Sequence, residues 1–474
     1  MTRRPLVTLC LPTLLLWAGC QTRQPGPRPE EAASAAVGAT QPLLFRVAPQ
    51  AIDHTDALPA TVSLAEAVRL TLDNHAGIQA ALAQVRVAEA DAEQAGLLPN
   101  PILGVVGHFP GNGVAARIEL GLAIDLVAVL QRPGRISVAD NRLREAAAAA
   151  VTTVLDVVAE LQTTYHAVQA LQATVPLLHA RRDLLARLQE LSRSRLEFGQ
   201  AGKLEVITVD AQREEIEAEI NDVFLELEEQ RLILARLIGQ PSSAAPLRVD
   251  AWQAPTAKSV REQPWIAAAL QRRPEIEARR WDLAALGADA RLNTLSPFSG
   301  TALGVDVEKQ DGWAGGPTLA LPLPIFDWGQ ARRAKIQALQ IQSLHRLTEA
   351  QREVVEQVRR ACAVYNESVH ELERVRTRLI PLQEQRRGLA ETALRAGQAD
   401  VTALILAEQD LAAARARAVM LERKNAFARL RLERAVGGAG VADEVIKTVP
   451  EATSTTVTSV AQSSPSVRAA QPAP

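Results

Sequence analysis

Aromatic residues make up only 3% of this 474-residue chain, the charges balance to a net -2, and there are just 3 cysteines, 2 methionines and 7 histidines. Each scarcity removes a class of function. Without an excess of Lys and Arg gathered on one stretch, the chain has nothing with which to neutralise phosphates, so no nucleic-acid partner is expected. The histidines are scattered, no H-x3-H pair has acidic support, and no G-x-S-x-G or P-loop string occurs, so neither enzyme activity nor a metal or cofactor site is expected. Met1 and Met420 cannot form a Met-rich metal relay. Beyond the first twenty residues there is no unbroken apolar run of membrane-spanning length, which argues against a transmembrane helix. What is abundant is Ala, Leu, Val, Glu, Arg and Gln, the composition of long helices and coiled coils.

The N-terminus is a unit of its own. Arg3 and Arg4 precede the apolar run Leu6 to Trp17, which closes on Ala18, Gly19 and Cys20, the layout of a secretory signal over residues 1–20. Small residues followed at once by Cys resemble a bacterial lipobox, although Trp17 stands where an aliphatic residue is usual. That resemblance implies that the Cys20 thiol carries a diacylglycerol and the new amino terminus a third acyl chain. The polar, Pro-rich stretch after it reads as part of a tether over 21–61, and Gln21 fits sorting to the outer membrane. Cys10 leaves with the signal, and Cys362 stands alone as an expected core residue, so no disulfide is expected.

The rest of the chain is one plan written twice. Ile78 matches Ile276, Ala90-Asp91-Ala92 matches Ala288-Asp289-Ala290, and Gly199-Gln200 and Gly239 match Gly397-Gln398 and Gly437, all 198 residues apart. Repeat 1 is placed at 62–239, a linker at 240–262, repeat 2 at 263–438, and a Ser-, Thr- and Pro-rich disordered tail at 439–474. In each repeat a helix leads through two strands into a long helical hairpin. Ser63 and Glu66 form a capping box at the start of a helix running to Leu97, and Pro99-Asn100-Pro101 ends it. Arg135 to Phe198 then runs without a glycine, a helix on the order of 95 Å long. Its apolar residues, among them Val151, Val154, Val158, Leu161 and Tyr165, recur at spacings of 3 and 4, which is a coiled-coil seam.

The strands are expected at about 101–109, 116–126, 301–309 and 317–325. Ile118, Leu120, Leu122 and Ile124 alternate with Arg117, Glu119, Gly121, Ala123 and Asp125, and Leu303, Val305 and Val307 alternate with Gly304, Asp306 and Glu308. Such alternation over roughly ten residues suits a tilted membrane strand. Glu119, Asp125, Asp306 and Glu308 are then the candidate lumen residues. Four strands cannot close a barrel, and an open edge in lipid leaves backbone groups unpaired, so closure must come from other chains.

Ser63 to His75, Gly96-Leu97-Leu98-Pro99-Asn100-Pro101 and above all Gly316 through Gly329 resemble the TolC-like outer membrane factors, over roughly Ser63 to Gly438. The resemblance implies a mainly α protein with membrane β: long coiled-coil hairpins form a helical barrel, and four strands per chain enter a shared barrel of a homotrimer. It implies passive conduction of efflux substrates across the outer membrane of a Gram-negative bacterium, with a periplasmic adaptor and an inner-membrane pump of the resistance-nodulation-division type as partners. Gly199, Gln200, Gly397 and Gln398 become the periplasmic tip turns. Relatives close this tip with acidic rings and a salt-bridged link between hairpins. Here Glu205 stands at an expected acidic place in hairpin one, but the matching places in hairpin two are Ala399, Ala403 and Leu406, with Asp400 and Glu408 only nearby. That departure tells against a charge-locked gate; Glu205, Leu404 and Leu406 are the candidate gate residues, Leu404 to Leu406 as an apolar seal and Glu205 equally readable as solvated helix surface. The competing reading is a lipid-anchored periplasmic adaptor or scaffold, which would share the hairpins and Cys20 but has no use for membrane-length strands.

Overall fold

The structure, a computed structural model, describes residues 31, 43–48, 61–109, 111, 117–200, 202–243, 247–254, 258–309 and 312–448. Cys20, the rest of the signal and the chain beyond 448 lie outside the described residues.

Two helices, α1 (Leu64–Asn74) and α2 (Ala76–Gly96), open repeat 1 where one helix was expected, because His75 adopts an extended conformation between them. The Ser63 hydroxyl accepts the Glu66 backbone N–H at 3.2 Å, so the cap forms, while the Glu66 carboxylate turns to Arg69 at 2.6 Å. Strands β1 (Ile102–His108) and β2 (Arg117–Asp125) follow. A short turn of helix, α3 (Leu126–Leu130), leads into α4 (Arg132–Glu197). The hairpin returns along α5 (Lys203–Leu237). Repeat 2 has the same order: α6 (Glu262–Arg272), α7 (Pro274–Leu292), β3 (Ala302–Lys309), β4 (Trp313–Ala320), α8 (Gln330–Arg374), α9 (Ile380–Arg395) and α10 (Val401–Val436). A π-helical stretch, Val375–Leu379, joins α8 to α9.

The 66 residues of α4 extend for about 100 Å. Over one 18-residue stretch α4 is apolar enough to cross a membrane, but it is packed lengthwise against α2, α5, α7 and α10. Val154, Val158, Leu161, Tyr165 and Val168 are buried along it. Each repeat has its own core beneath these helices. Leu161, Tyr165, Leu234 and Leu237 centre the first, and Val358, Cys362, Tyr365, Leu432 and Val436 the second. Burial pushes the Cys362 thiol up to about 11, consistent with an inert core residue.

The segment after α5 is more than a spacer. Leu247 and Val249 are buried, Val249 bridges Val62, and the Val62 N–H donates to the Arg248 carbonyl at 2.9 Å. The Tyr165 hydroxyl donates to the Val62 carbonyl at 2.9 Å, and Gln169 donates to the Asp250 carbonyl at 3.0 Å, so the linker is strapped to the middle of α4. Burial and the neighbouring Asp250 raise the Tyr165 hydroxyl to about 12. The expected disordered tail over 439–474 is corrected in its first ten residues, and the rest of it lies outside the described residues. Residues Ala439–Thr448 form a further helix, α11, because Ala442 and Val445 find places in the second core.

The strands form one antiparallel sheet in the order β1-β2-β3-β4. Three of them fall close to their expected positions. β4 does not: it runs from Trp313 to Ala320, and Leu321 to Pro324 lie outside it. Pairing with β3 sets this register, with Trp313 opposite Lys309 and Leu319 opposite Leu303, whereas Pro322 and Pro324 have no N–H to donate to a ladder.

Candidate functional site: the strand panel and the hairpin tips

Register gives the sheet two unlike faces. Leu120 sits opposite Val105 and Val307, Leu122 opposite Leu103 and Val305, and Ile124 opposite Leu303. Among the described residues most of this apolar face is uncovered: Leu103 is 68% exposed, Val305 54% and Leu319 62%, with Ile124 and Val307 half-buried. A contiguous exposed face of this kind marks an interaction surface, and at this strand length it matches a bilayer. The nine residues of β2 span about 30 Å, or roughly 25 Å of membrane at the usual barrel tilt.

Four exposed aromatic residues stand at the ends of this panel. Phe109 and Trp313 stand at one end, exposed at 81% and 68%, with the Lys309 ammonium 5.5 Å from the Trp313 ring. Phe326 and Trp328 stand exposed beyond the other end, where the chain turns into α8. Aromatic rings with a cation beside them are the usual furniture of a membrane–water boundary. Composition hid this signal, because scarcity over the whole chain says nothing of clustering in space.

The opposite face carries the four candidate lumen acids, in unequal circumstances. Glu119 and Glu308 are directly opposed across β2 and β3, and Arg117 lies between them, at 2.6 Å and 2.7 Å respectively. Asp306 lies over Gly121, where any side chain would collide with its carboxylate. Asp125 accepts the Ala128 backbone N–H at 2.9 Å and so caps α3 at the junction of strand and helix. Asp327 has a similar local task, accepting the Gly329 N–H at 2.8 Å ahead of α8.

The hairpin tips lie at the other end of the long helices. Gly199 and Gly397 have φ of +69° and +70°. In each, the following glutamine closes the turn: Gln200 donates to the Arg195 carbonyl at 2.8 Å, and Gln398 to the Ala393 carbonyl at 2.9 Å. The same helix terminator is used twice, in register with the repeat.

Between the tips the structure places a charged contact beside an apolar one. Arg195, on the last turn of α4, reaches Asp400 at 2.7 Å and the Thr402 hydroxyl at 3.1 Å, both at the start of α10, while contacting Glu205 in its own hairpin at 3.4 Å. One guanidinium thus links the two hairpins, and Asp400, which is only near the position where an acid was sought, is its main partner. Glu408 is held by Arg387 at 3.5 Å. The apolar contact between hairpins is made by Ile405, buried with Leu188 and Val209, whereas Leu406 is exposed and Leu404 half-buried. Arg195 was missed because its partner is 205 residues away in sequence.

Solved structures share this architecture. The outer-membrane channel OprN is 19% identical with a TM-score of 0.64 over 80% of this chain and 90% of that one. The Vibrio cholerae outer membrane protein VceC is 19% identical with a TM-score of 0.65, over 79% of this chain and 96% of that one. CusC, described in terms of folding and transmembrane channel formation, is 17% identical with a TM-score of 0.64, over 84% and 98%. No protein-family model and no curated protein sequence matches the chain. The fold is that of the outer-membrane channels: long helical hairpins carrying a four-stranded panel.

Proposed function

We propose that this chain is the outer-membrane channel of a tripartite efflux system, lipid-anchored at Cys20 and passive in its own right. The observation that carries this reading is the strand panel. Among the described residues its apolar face is largely exposed, its outer strands β1 and β4 each lack a partner on one edge, and it stands at one end of helices about 100 Å long. An open edge is not tolerated in hydrocarbon, and three copies contributing four strands each close a barrel without edges. The helices then continue the conduit through the periplasm. A periplasmic adaptor and an inner-membrane pump of the resistance-nodulation-division type engage the Gly199 and Gly397 tips and supply the driving force. Cargo is chosen by that pump.

The polar face of the panel lines the barrel. Its four carboxylates outnumber the Arg117 guanidinium, so the pore favours cations. The full-length protein reconstituted in a planar bilayer should conduct with a reversal potential displaced toward the cation equilibrium. Anion preference, or no conductance, would overturn the reading. For the anchor, Cys20→Ser should abolish labelling by a fatty-acid probe, and undiminished labelling would remove it.

A further inference from the structure

The two repeats put equivalent positions into unequal surroundings. Along α5 and α10 the 198-residue shift is kept by interior pairs, with Val209 and Ala407, Ile220 and Ala418, and Leu234 and Leu432 all buried. At other positions the pairs disagree. Ile207 is 53% exposed where Ile405 is 9%, and Leu232 is 57% exposed where Leu430 is 9%. On the preceding helix, Val87 is 53% exposed where Ala285 is 4%. The physical reason is position in the chain: α7 and α10 of repeat 2 pack both on their own α8 and on α4 of repeat 1, whereas among the described residues α2 and α5 pack broadly on α4 alone.

Charge follows the same rule. From α10, Arg434 donates to Asp156 on α4 at 2.6 Å, crossing from repeat 2 to repeat 1. The counterpart of Arg434 is Arg236, since each stands three residues before a positive-φ glycine, Gly437 and Gly239, that donates to its carbonyl. On α8 the shift is 200, fixed by the buried pairs Val154 and Val354, Val158 and Val358, and Tyr165 and Tyr365, so Glu356 is the counterpart of Asp156. Within one chain Arg236 contacts Glu160 and Glu356 contacts Arg360, both at the surface. Glu356 also lines an open hollow of about 580 Å³ along α8, where Glu349, Glu353 and Glu356 outnumber Arg352.

We propose that the face carrying Val87, Ile207, Leu232 and Arg236 docks on a second copy, along its α8 and, toward the tip at Ile207, its α9, with Arg236 of one copy paired to Glu356 of the next. The contact inside the chain is thereby repeated between chains. Because the two surfaces differ, the interface is head-to-tail and closes into a ring. This inference rests on the trimeric channel reading and assigns its interface.

The test uses the full-length protein carrying Arg236→Lys, treated with a zero-length carbodiimide that joins amines to carboxylates. A ladder of linked chains on a denaturing gel is expected, with a peptide joining position 236 to Glu356, and the ladder should vanish when Glu356→Gln is added. A trimer whose lysine at position 236 links only to Glu160 of the same chain would overturn the docking face and leave the channel reading standing. No trimer in the unmodified protein would overturn both. As a second measure, Arg236→Glu should lower trimer yield about fivefold or more, and adding Glu356→Arg should restore it; failure of that rescue counts against the pair.

Discussion

Two arginine networks show how burial sets the worth of a charge. Arg195 joins the hairpins from a partly exposed position, and surface pairs of this kind contribute about 0–1 kcal/mol each. Arg195→Ala should therefore leave the melting temperature nearly unchanged while raising single-channel conductance, because the link between the tips is lost. Unchanged conductance would show that the link has no part in gating. Glu275 is the opposite case. Its oxygens accept from Arg273 at 3.0 Å and 3.1 Å and from Arg434 at 2.6 Å, where both guanidiniums are largely buried. Burial alone would raise its carboxyl, but the hydrogen bonds and charges of Arg273 and Arg434 outweigh that and hold it down at about 2. Glu275→Gln leaves the buried Arg273 without a counter-charge and Arg434 with Asp156 alone, and should cost roughly 3–5 kcal/mol. Since the folded-state value is depressed, the contribution is complete above the ordinary carboxylate range and fades as pH falls from about 4.5 toward 2. Melting curves of the two forms should accordingly converge on acidification through that window.

Among the elements, legibility varied with how local the determining physics is. β2 and β3 could be read from alternation because each residue's side follows from the pleat alone. β4 could not: Gly315, Gly316 and Pro317 carry no alternating signal, and its position comes from pairing with β3. The break at His75 and the helix α11 were missed for a related reason, since both depend on what packs nearby. The tip turns were legible because the left-handed residue that stops a long helix is most often glycine, a preference set by the backbone alone. Replacing Gly397 by Val should cost about 1–2 kcal/mol from the left-handed backbone alone, without collision, since nothing lies within 4 Å of a Cβ there. Faster proteolysis at the second tip, with the panel unaffected, is the expected readout.

For the whole molecule the quantity that tests the proposed channel is the field along the polar face of the panel. Glu119→Gln with Glu308→Gln should reduce cation preference, and Arg117→Gln should increase it, both read as shifts in reversal potential under a salt gradient. Equal selectivity in all three forms would place this face outside the conduction path. The sequence by itself determined the length of the long hairpin helix α4, the duplicated plan, the membrane-suited alternation and the tip glycines, because periodicity and backbone conformation are properties of neighbouring residues. Only the tertiary structure decided that Arg195 reaches Asp400, that Arg117 stands between Glu119 and Glu308, and that Phe109, Trp313, Phe326 and Trp328 stand at the panel's ends. It also decided which copy of each repeated position is covered. Those facts depend on residues far apart in the chain meeting in space, and two sequence-equivalent positions become unlike only when one of them has a helix laid over it.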